Sequence, residues 1–301
     1  MSTIDPNAYG ASWYQATQVP APSRGRLVVE ADADVCVIGA GLAGLTVARE
    51  VARRGKSVVV LEAHRVAWNA SGRNTGFVLP GFAASMDSIV ARVGLDRAKT
   101  LWALSEAGAE YVRRAIGETK MPGAELSETG WLHVSKTGRD NPMRSEAEFL
   151  AGEFGAATEF WPRERVCDQL RSPLYFGAIH YPRAFTIHPL NYALGLAAAA
   201  EAAGARIYEE TPVLEIDPTG LRKRVVTKHA RIRAGHVVLA GNVHLAEYMP
   251  RFGGSLLPIF TYVIATAPIG PELREAIRFP GAVSDTDLAD NHYRVTGDGR
   301  L

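Results

Sequence analysis

The chain has 301 residues, enough for about two domains and a large core. Hydrophobic residues make up 47% and charged residues 22%, an ordinary globular composition that excludes disordered and fibrous classes. Lys plus Arg is 33 against 32 for Asp plus Glu, so neither a basic nucleic-acid stripe nor an acidic solvating tail is expected. The two cysteines, Cys36 and Cys167, predict no disulfide framework and suit a reducing cytoplasm. The opening MSTIDPNAYG has neither a basic start nor an apolar stretch, so no signal peptide is expected. No apolar run approaches the length of a membrane span.

Residues 1–30 are rich in Pro, Ser and polar side chains and read as a surface arm anchored by Trp13 and Tyr14, or as a disordered tail. At Asp34 the character changes. Residues 35–38, VCVI, form the continuous apolar run of a parallel strand buried on both faces. Gly39-Ala40-Gly41-Leu42-Ala43-Gly44 follows, then Leu45, Ala48, Val51 and Ala52 at helical spacing, with Gly55 where a helix ends. A second strand covers 57–61 and closes on Glu62, and residues 67–81 form a small, polar, glycine-rich loop. A long amphipathic helix is predicted over 95–116 with Leu101, Leu104, Ala107, Tyr111 and Ile116 inward, then a strand at 131–134, a helix over 144–154 and a strand at 174–182. His188-Pro189 opens a helix that Gly204 ends, and Cys36 reads as a small core residue. Strands follow at 206–208, 213–216, from 225 to 227, at 236–240 ending on Gly241, and over 259–267. Residues 292–296 read as a strand, 297–299 as a turn, and 300–301 as the start of a return strand.

The glycines at 39, 41 and 44 have the context that the pattern G-x-G-x-x-G requires: a strand before, a helix after, a second strand and an acid at its tip. Gly39 allows the tight turn, Gly41 leaves the backbone open to a pyrophosphate, and Gly44 lets the helix pack on the strand. The helix N-terminus supplies N–H groups for phosphate charge. Glu62, 18 residues beyond Gly44, is placed to accept hydrogen bonds from ribose hydroxyls and would repel a 2′-phosphate. The motif alone leaves NAD and FAD open. No second G-x-G-x-x-G occurs, and the loop after Glu62 carries Asn69, Ser71, Gly72, Arg73, Asn74, Thr75 and Gly76, small residues and donors suited to wrapping a flavin dinucleotide. Both features favour FAD.

VCVIGAGLAGLTVARE, VVVLEA and WNASGRNTGFV together resemble the D-amino-acid-oxidase-like FAD-dependent superfamily, nearest the branch that holds gamma-glutamylputrescine oxidase. The likeness continues through IHPLNYALGLAAAAEAAGARIYEETPV, VVLAGNVHL and HYRVTGDGRL, nearly the whole chain. That branch usually reads SGRNGG where this chain has Thr75.

The resemblance implies an α/β fold: a discontinuous Rossmann-like FAD-binding domain (31–85 and 175–250) with an inserted antiparallel-sheet substrate domain (86–174 and 251–301), after the arm. It implies that Gly39, Gly41, Gly44 and Glu62 bind the ADP half, that Ser71, Arg73, Asn74 and Gly76 lie by the flavin half, that Val213 offers its backbone to the adenine, and that Ala240-Gly241 approaches the phosphates. No histidine occurs in residues 67–81, so the flavin is expected to be non-covalent, and no metal is expected. The implied reaction takes a hydride from the carbon beside the nitrogen of an amine or amino acid; the imine is hydrolysed, and the flavin is reoxidised by oxygen or an electron carrier. No side chain is required as acid or base if the amine binds neutral, and none is assigned as catalytic. Phe260 and Tyr262 are candidates to line a substrate pocket, or to be sheet core or surface aromatics. The resemblance also implies a further segment after Leu301 that completes the sheet, without which FAD would be held weakly or not at all. A catalytically inactive remnant of the fold and an NAD-dependent dehydrogenase are the alternatives.

Overall fold

A computed structural model describes residues 9–10, 12–138, 141–286 and 291–301, so residues 1–8 of the expected arm lie outside it. The strands are β1 (Ala31–Ile38), β2 (Val58–Leu61), β3 (Phe77–Val78), β4 (Trp131–Ser135), β5 (Glu159–Pro162), β6 (Gly177–Tyr181), β7 (Phe185–Thr186), β8 (Arg206–Tyr208), β9 (Val213–Asp217), β10 (Lys223–Thr227), β11 (Arg231–Leu239), β12 (Ala282–Asp285) and β13 (His292–Tyr293). The helices are α1 (Trp13–Ala16), α2 (Leu42–Ala52), α3 (Met86–Val93), α4 (Leu95–Thr119), α5 (Asn141–Phe154), α6 (Arg163–Gln169), α7 (Pro189–Ala202), α8 (Pro250–Gly253) and α9 (Pro271–Ala276). The chain divides into two units: residues 1–74, 119–124 and 188–263 form the first, and 75–118, 125–187 and 264–301 the second.

The first unit is built on a sheet of order β8-β2-β1-β11-β10-β9. The apolar run of β1 pairs in parallel with β2 on one side (Ile38 opposite Leu61) and with β11 on the other (Ile38 opposite Leu239), and β2 pairs in parallel with β8 (Leu61 opposite Tyr208). Residues 35–38 and all of β2 are buried, as strands covered on both faces must be. Parallel register brings the carboxyl ends of β8, β2, β1 and β11 level, where ligands of such sheets bind. β11, β10 and β9 form an antiparallel meander, and its Val225, Ile232 and Ala234 share a core with Cys36, Ile38, Val59 and Leu61.

α2 packs on α7. α7 has almost no polar face, and Leu190, Tyr192, Ala193, Leu194, Leu196, Ala197 and Ala200 are all buried. His188 is its N-cap, and its Nδ1 accepts the Asn191 N–H at 3.1 Å. The arm lies on this helix: Tyr14 is buried, the rings of Trp13 and Tyr14 contact His188 at 5.5 and 5.0 Å, and the Val19 N–H donates to Asn191 Oδ1 at 2.9 Å. Arg24, also buried, grips Glu201 through Nε and Nη2, each at 2.7 Å.

The second unit holds a five-stranded sheet of order β13-β12-β4-β6-β5 and the short pair β3-β7. The expected antiparallel sheet is mixed, because β12 runs parallel to β4 while the other pairs are antiparallel. Met86, Trp102, Met143, Ala147, Leu150 and Ile179 form one core, and Leu132, Val134, Trp161, Val166, Phe279 and Val283 another. α4 faces its core with a different stripe from the one predicted. Ala98, Trp102 and Ala115 are buried, whereas Leu104 is 66% exposed and Ala107 is exposed. The large indole of Trp102 anchors the helix and sets its rotation.

The strand predicted over 259–267 does not form. These residues join no ladder, and Ile259, Phe260 and Tyr262 are 78%, 83% and 90% exposed. High β propensity makes a strand only where a partner edge offers its N–H and C=O groups. Backbone bonds begin at Thr266, whose N–H donates to Leu301 O at 3.0 Å. Of residues 292–296 only His292 and Tyr293 are in a strand, while the turn at 297–299 closes with the Gly299 N–H on Thr296 O at 3.0 Å.

Candidate dinucleotide site

β1 stops at Ile38 and the chain turns into α2. Gly39 adopts φ +103°, a left-handed conformation, and a Cβ there would lie 2.6 Å from the Ala240 carbonyl oxygen. The Ala240 N–H donates to Ile38 O at 2.8 Å, which brings the end of β11 and Gly241 against the turn. A Cβ on Gly44 would overlap the Gly39 carbonyl oxygen, so the first turn of α2 can close on the loop only with glycine there. Gly41 is the N-cap of α2, and a Cβ on it would meet Ser71 Oγ at 2.8 Å. That hydroxyl accepts the Leu42 N–H at 3.0 Å. The space cleared by Gly41 therefore holds an oxygen acceptor at the helix N-terminus, where the partial positive charge favours one.

Glu62 stands at the tip of β2. Its Oε2 accepts the Ala40 N–H at 2.8 Å and its Oε1 the His64 N–H at 2.9 Å. Burial raises the carboxyl above its usual range, while the two backbone N–H groups pull it back. The Glu62 carbonyl accepts the Thr211 N–H at 2.8 Å, so Val213, the first residue of β9, follows two residues after a direct contact with Glu62. Thr211 and Pro212 help to line a cavity of about 200 Å³, together with Arg26, Thr227, Lys228 and His229. None of the ten predicted residues lines it.

The loop that carries Ser71 is a short 3₁₀ turn, Ala70–Gly72. Asn74 closes it: its Nδ2 donates to Ala70 O at 3.0 Å and to Ser71 O at 3.1 Å. Asn69 Nδ2 and His244 Nε2, 2.9 Å apart, tie the loop to the 3₁₀ segment Asn242–Glu247 that follows Gly241. The Arg73 guanidinium carbon lies 4.9 Å from the Trp68 ring centroid, and His64 stacks on Trp68 at 4.0 Å. Arg73 Nε is buried and has no hydrogen-bond partner among the described residues. The buried Glu209 pins the start of the loop by accepting the Val66 N–H at 2.9 Å and Arg65 Nη1 at 3.2 Å.

Of the predicted residues, Gly39, Gly41, Gly44, Glu62, Ser71 and Gly241 thus come together around one turn, with Arg73 and Asn74 in the adjoining loop. Gly76 falls in the second unit, where it adopts φ +75° and its carbonyl accepts the Ile187 N–H at 2.8 Å. Phe260 and Tyr262 are exposed rather than lining a pocket. His64, Trp68 and Glu209 were not singled out from sequence. A signal did exist for the first two, aromatic rings four residues apart just after the acid. Among the described residues no group of three or more His, Cys, Asp and Glu could hold a metal, and no helix is long and apolar enough to cross a membrane.

A parallel sheet with a glycine turn, a capping acid and a donor-rich loop at its carboxyl edge defines a dinucleotide-binding protein of the α/β class. The chain belongs to the FAD dependent oxidoreductase family, whose model matches residues 34–301. That match decides the cofactor for FAD over NAD. The residues present fit it: the glycine turn opens directly into the N-terminus of α2, and the buried Arg73 Nε has no acceptor among the described residues. Gamma-glutamylputrescine oxidoreductase of Escherichia coli is 31% identical over 271 residues, covering 89% of this chain and 63% of that protein. The protein named probable oxidoreductase OrdL in Haemophilus influenzae is 30% identical and covers 89% of this chain, which spans 64% of it; its namesake in Rhizobium meliloti is 31% identical over 311 residues, 70% of its length. The chain therefore spans just under two thirds of the first two relatives. Among solved structures, glycine oxidase from Geobacillus kaustophilus shares the fold with a TM-score of 0.68 at 22% identity, over 90% of this chain and 70% of that one.

Proposed function

We propose that the protein oxidises the C–N bond of an amine or amino acid, with FAD held by Gly39, Gly41, Gly44, Glu62, Ser71, Arg73, Asn74, Gly76, Val213 and Gly241. The observation that carries the reading is the convergence of the glycine turn, Glu62, Ser71 and Gly241 at the carboxyl ends of β1, β2 and β11. When bound, FAD would accept the hydride, and with it the two electrons of the oxidation, from the carbon beside nitrogen. The chain's own part is to hold it. Glu62 accepts ribose hydroxyls, the N-terminus of α2 faces phosphate charge, and Arg73 donates to an oxygen of the cofactor. The substrate class is supported by relatives whose names specify gamma-glutamylputrescine and glycine. The imine product hydrolyses to an aldehyde or keto acid, with oxygen or an electron carrier as final acceptor. Flavin is bound without a covalent link, and two free cysteines fit a cytoplasmic protein.

The test is anaerobic reduction of the FAD-loaded chain by a panel of amines and amino acids. Loss of the yellow flavin absorbance with at least one of them is expected. Stoichiometric flavin that no member of the panel bleaches would refute the catalytic reading, and recovery of NAD in place of FAD from the purified protein would refute the cofactor.

A further inference from the structure

Arg73 is held by a ring rather than by an acid. Its Nε is buried and unpartnered among the described residues, a state that native proteins rarely leave unmet. The guanidinium carbon lies 4.9 Å from the centroid of the Trp68 ring. The His64 imidazole stacks on Trp68 at 4.0 Å with an interplanar angle of 20°. The short turn that presents the indole is pinned at several points. The His64 N–H donates to Glu62 Oε1 at 2.9 Å, the Trp68 N–H to Arg65 O at 3.0 Å, and the Arg65 side chain meets the buried Glu209 at 3.2 Å. One chain of contacts thus runs from the acid at the tip of β2 to the guanidinium of the 70–74 loop.

We propose that Trp68 is a positioning residue for the cofactor: backed by His64, its indole holds the Arg73 side chain so that the unpartnered Nε–H meets an oxygen acceptor of bound FAD. The inference rests on the FAD-holding role given above to the Arg73 loop. Arginine has many rotamers, and ordering it only on binding would weaken binding. An indole face attracts a guanidinium and fixes it beforehand without consuming its N–H donors. Trp68 improves FAD binding in this way with no requirement to touch FAD itself.

The experiment is a double-mutant cycle on the affinity of the apoprotein for FAD, read by quenching of flavin fluorescence. Arg73→Ala is expected to weaken binding about tenfold, ~1.4 kcal/mol. Trp68→Leu should lose most of the same factor, whereas Trp68→Phe, which keeps an aromatic face, should retain wild-type affinity within about threefold, ~0.7 kcal/mol. The double variant Trp68→Leu/Arg73→Ala should bind no more weakly than Arg73→Ala alone. Urea midpoints of all four proteins confirm that each is folded, and Phe against Leu keeps the comparison between side chains that both fill the site. Losses that add in the double variant, or equal affinities for Phe and Leu at 68, would overturn the positioning role. Wild-type affinity in Arg73→Ala would instead overturn the role of the loop on which it rests.

Discussion

Glu62 shows how one side chain serves the fold and the site with opposite preferences. Its carboxylate accepts two backbone N–H groups, yet burial, the larger effect, raises its pKa above the ordinary 4.5. A carboxyl raised on folding binds its proton more readily in the folded chain than in the unfolded one. Its contribution to stability is full below the unfolded value and is lost as pH climbs through the folded value. The FAD-free protein should therefore lose stability relative to Glu62→Gln as pH rises through the range above the ordinary carboxylate value of 4.5. Urea midpoints across that range measure it, and a difference that stays flat or grows in favour of wild type would refute it. Cys36 lies at the same scale but has no such role: it is fully buried in β1 and burial pushes its thiol up to about 12, consistent with the core position read from its apolar neighbours. Glu62 and the glycines were legible from sequence because strand, turn and helix are contiguous there. Trp68 was not, because its value depends on a ring-to-guanidinium contact that no local pattern encodes.

At the scale of elements, α7 was legible at both ends, from Pro189 after His188 and from Gly204, which adopts φ +102°. The structure adds what His188 joins. Its Nδ1 caps α7, its Nε2 lies 2.9 Å from Thr17 Oγ1, and the rings of Trp13 and Tyr14 pack on it. Thr17 Oγ1 also lies 2.7 Å from Trp13 O, as its hydroxyl donor would require, which leaves Nε2–H as the donor to that oxygen. His188→Ala should therefore destabilise the chain by about 1–2 kcal/mol from the lost cap alone. It should also loosen the arm, so that limited proteolysis cuts within residues 9–23 faster than in wild type; unchanged cleavage there would show that the arm is held elsewhere, for example by Arg24 and Glu201. Two elements escaped the sequence for a shared reason. The inward face of α4 and the pairing of 259–267 are decided by neighbours, and in each case an apolar residue was available to more than one arrangement.

At the scale of the whole molecule, membership of the FAD dependent oxidoreductase family over residues 34–301 joins the two units into one functional reading. The expected domains are 31–85 with 175–250 and 86–174 with 251–301; the two units of the structure change at 74/75, 187/188 and 263/264, with residues 119–124 given to the first. A non-covalent cofactor has two measurable consequences. Acid precipitation should leave all flavin in the supernatant, and FAD at a hundred times its Kd should stabilise the chain by about 2.7 kcal/mol. Flavin that stays with the pellet would contradict the first, and a denaturation midpoint indifferent to FAD the second.

The sequence by itself determined the βαβ unit, its glycines and its acid, because the strand, turn and helix signals of that unit lie within 29 residues, 34–62. It also carried the likeness that pointed to FAD. Only the tertiary structure decided that Ser71 takes the space Gly41 clears, that Asn74 closes its own loop, that Gly241 is drawn to Gly39, and that Trp68 holds Arg73. Those contacts join residues from different turns and strands. Their geometry follows from parallel register and close packing, which local propensity does not specify.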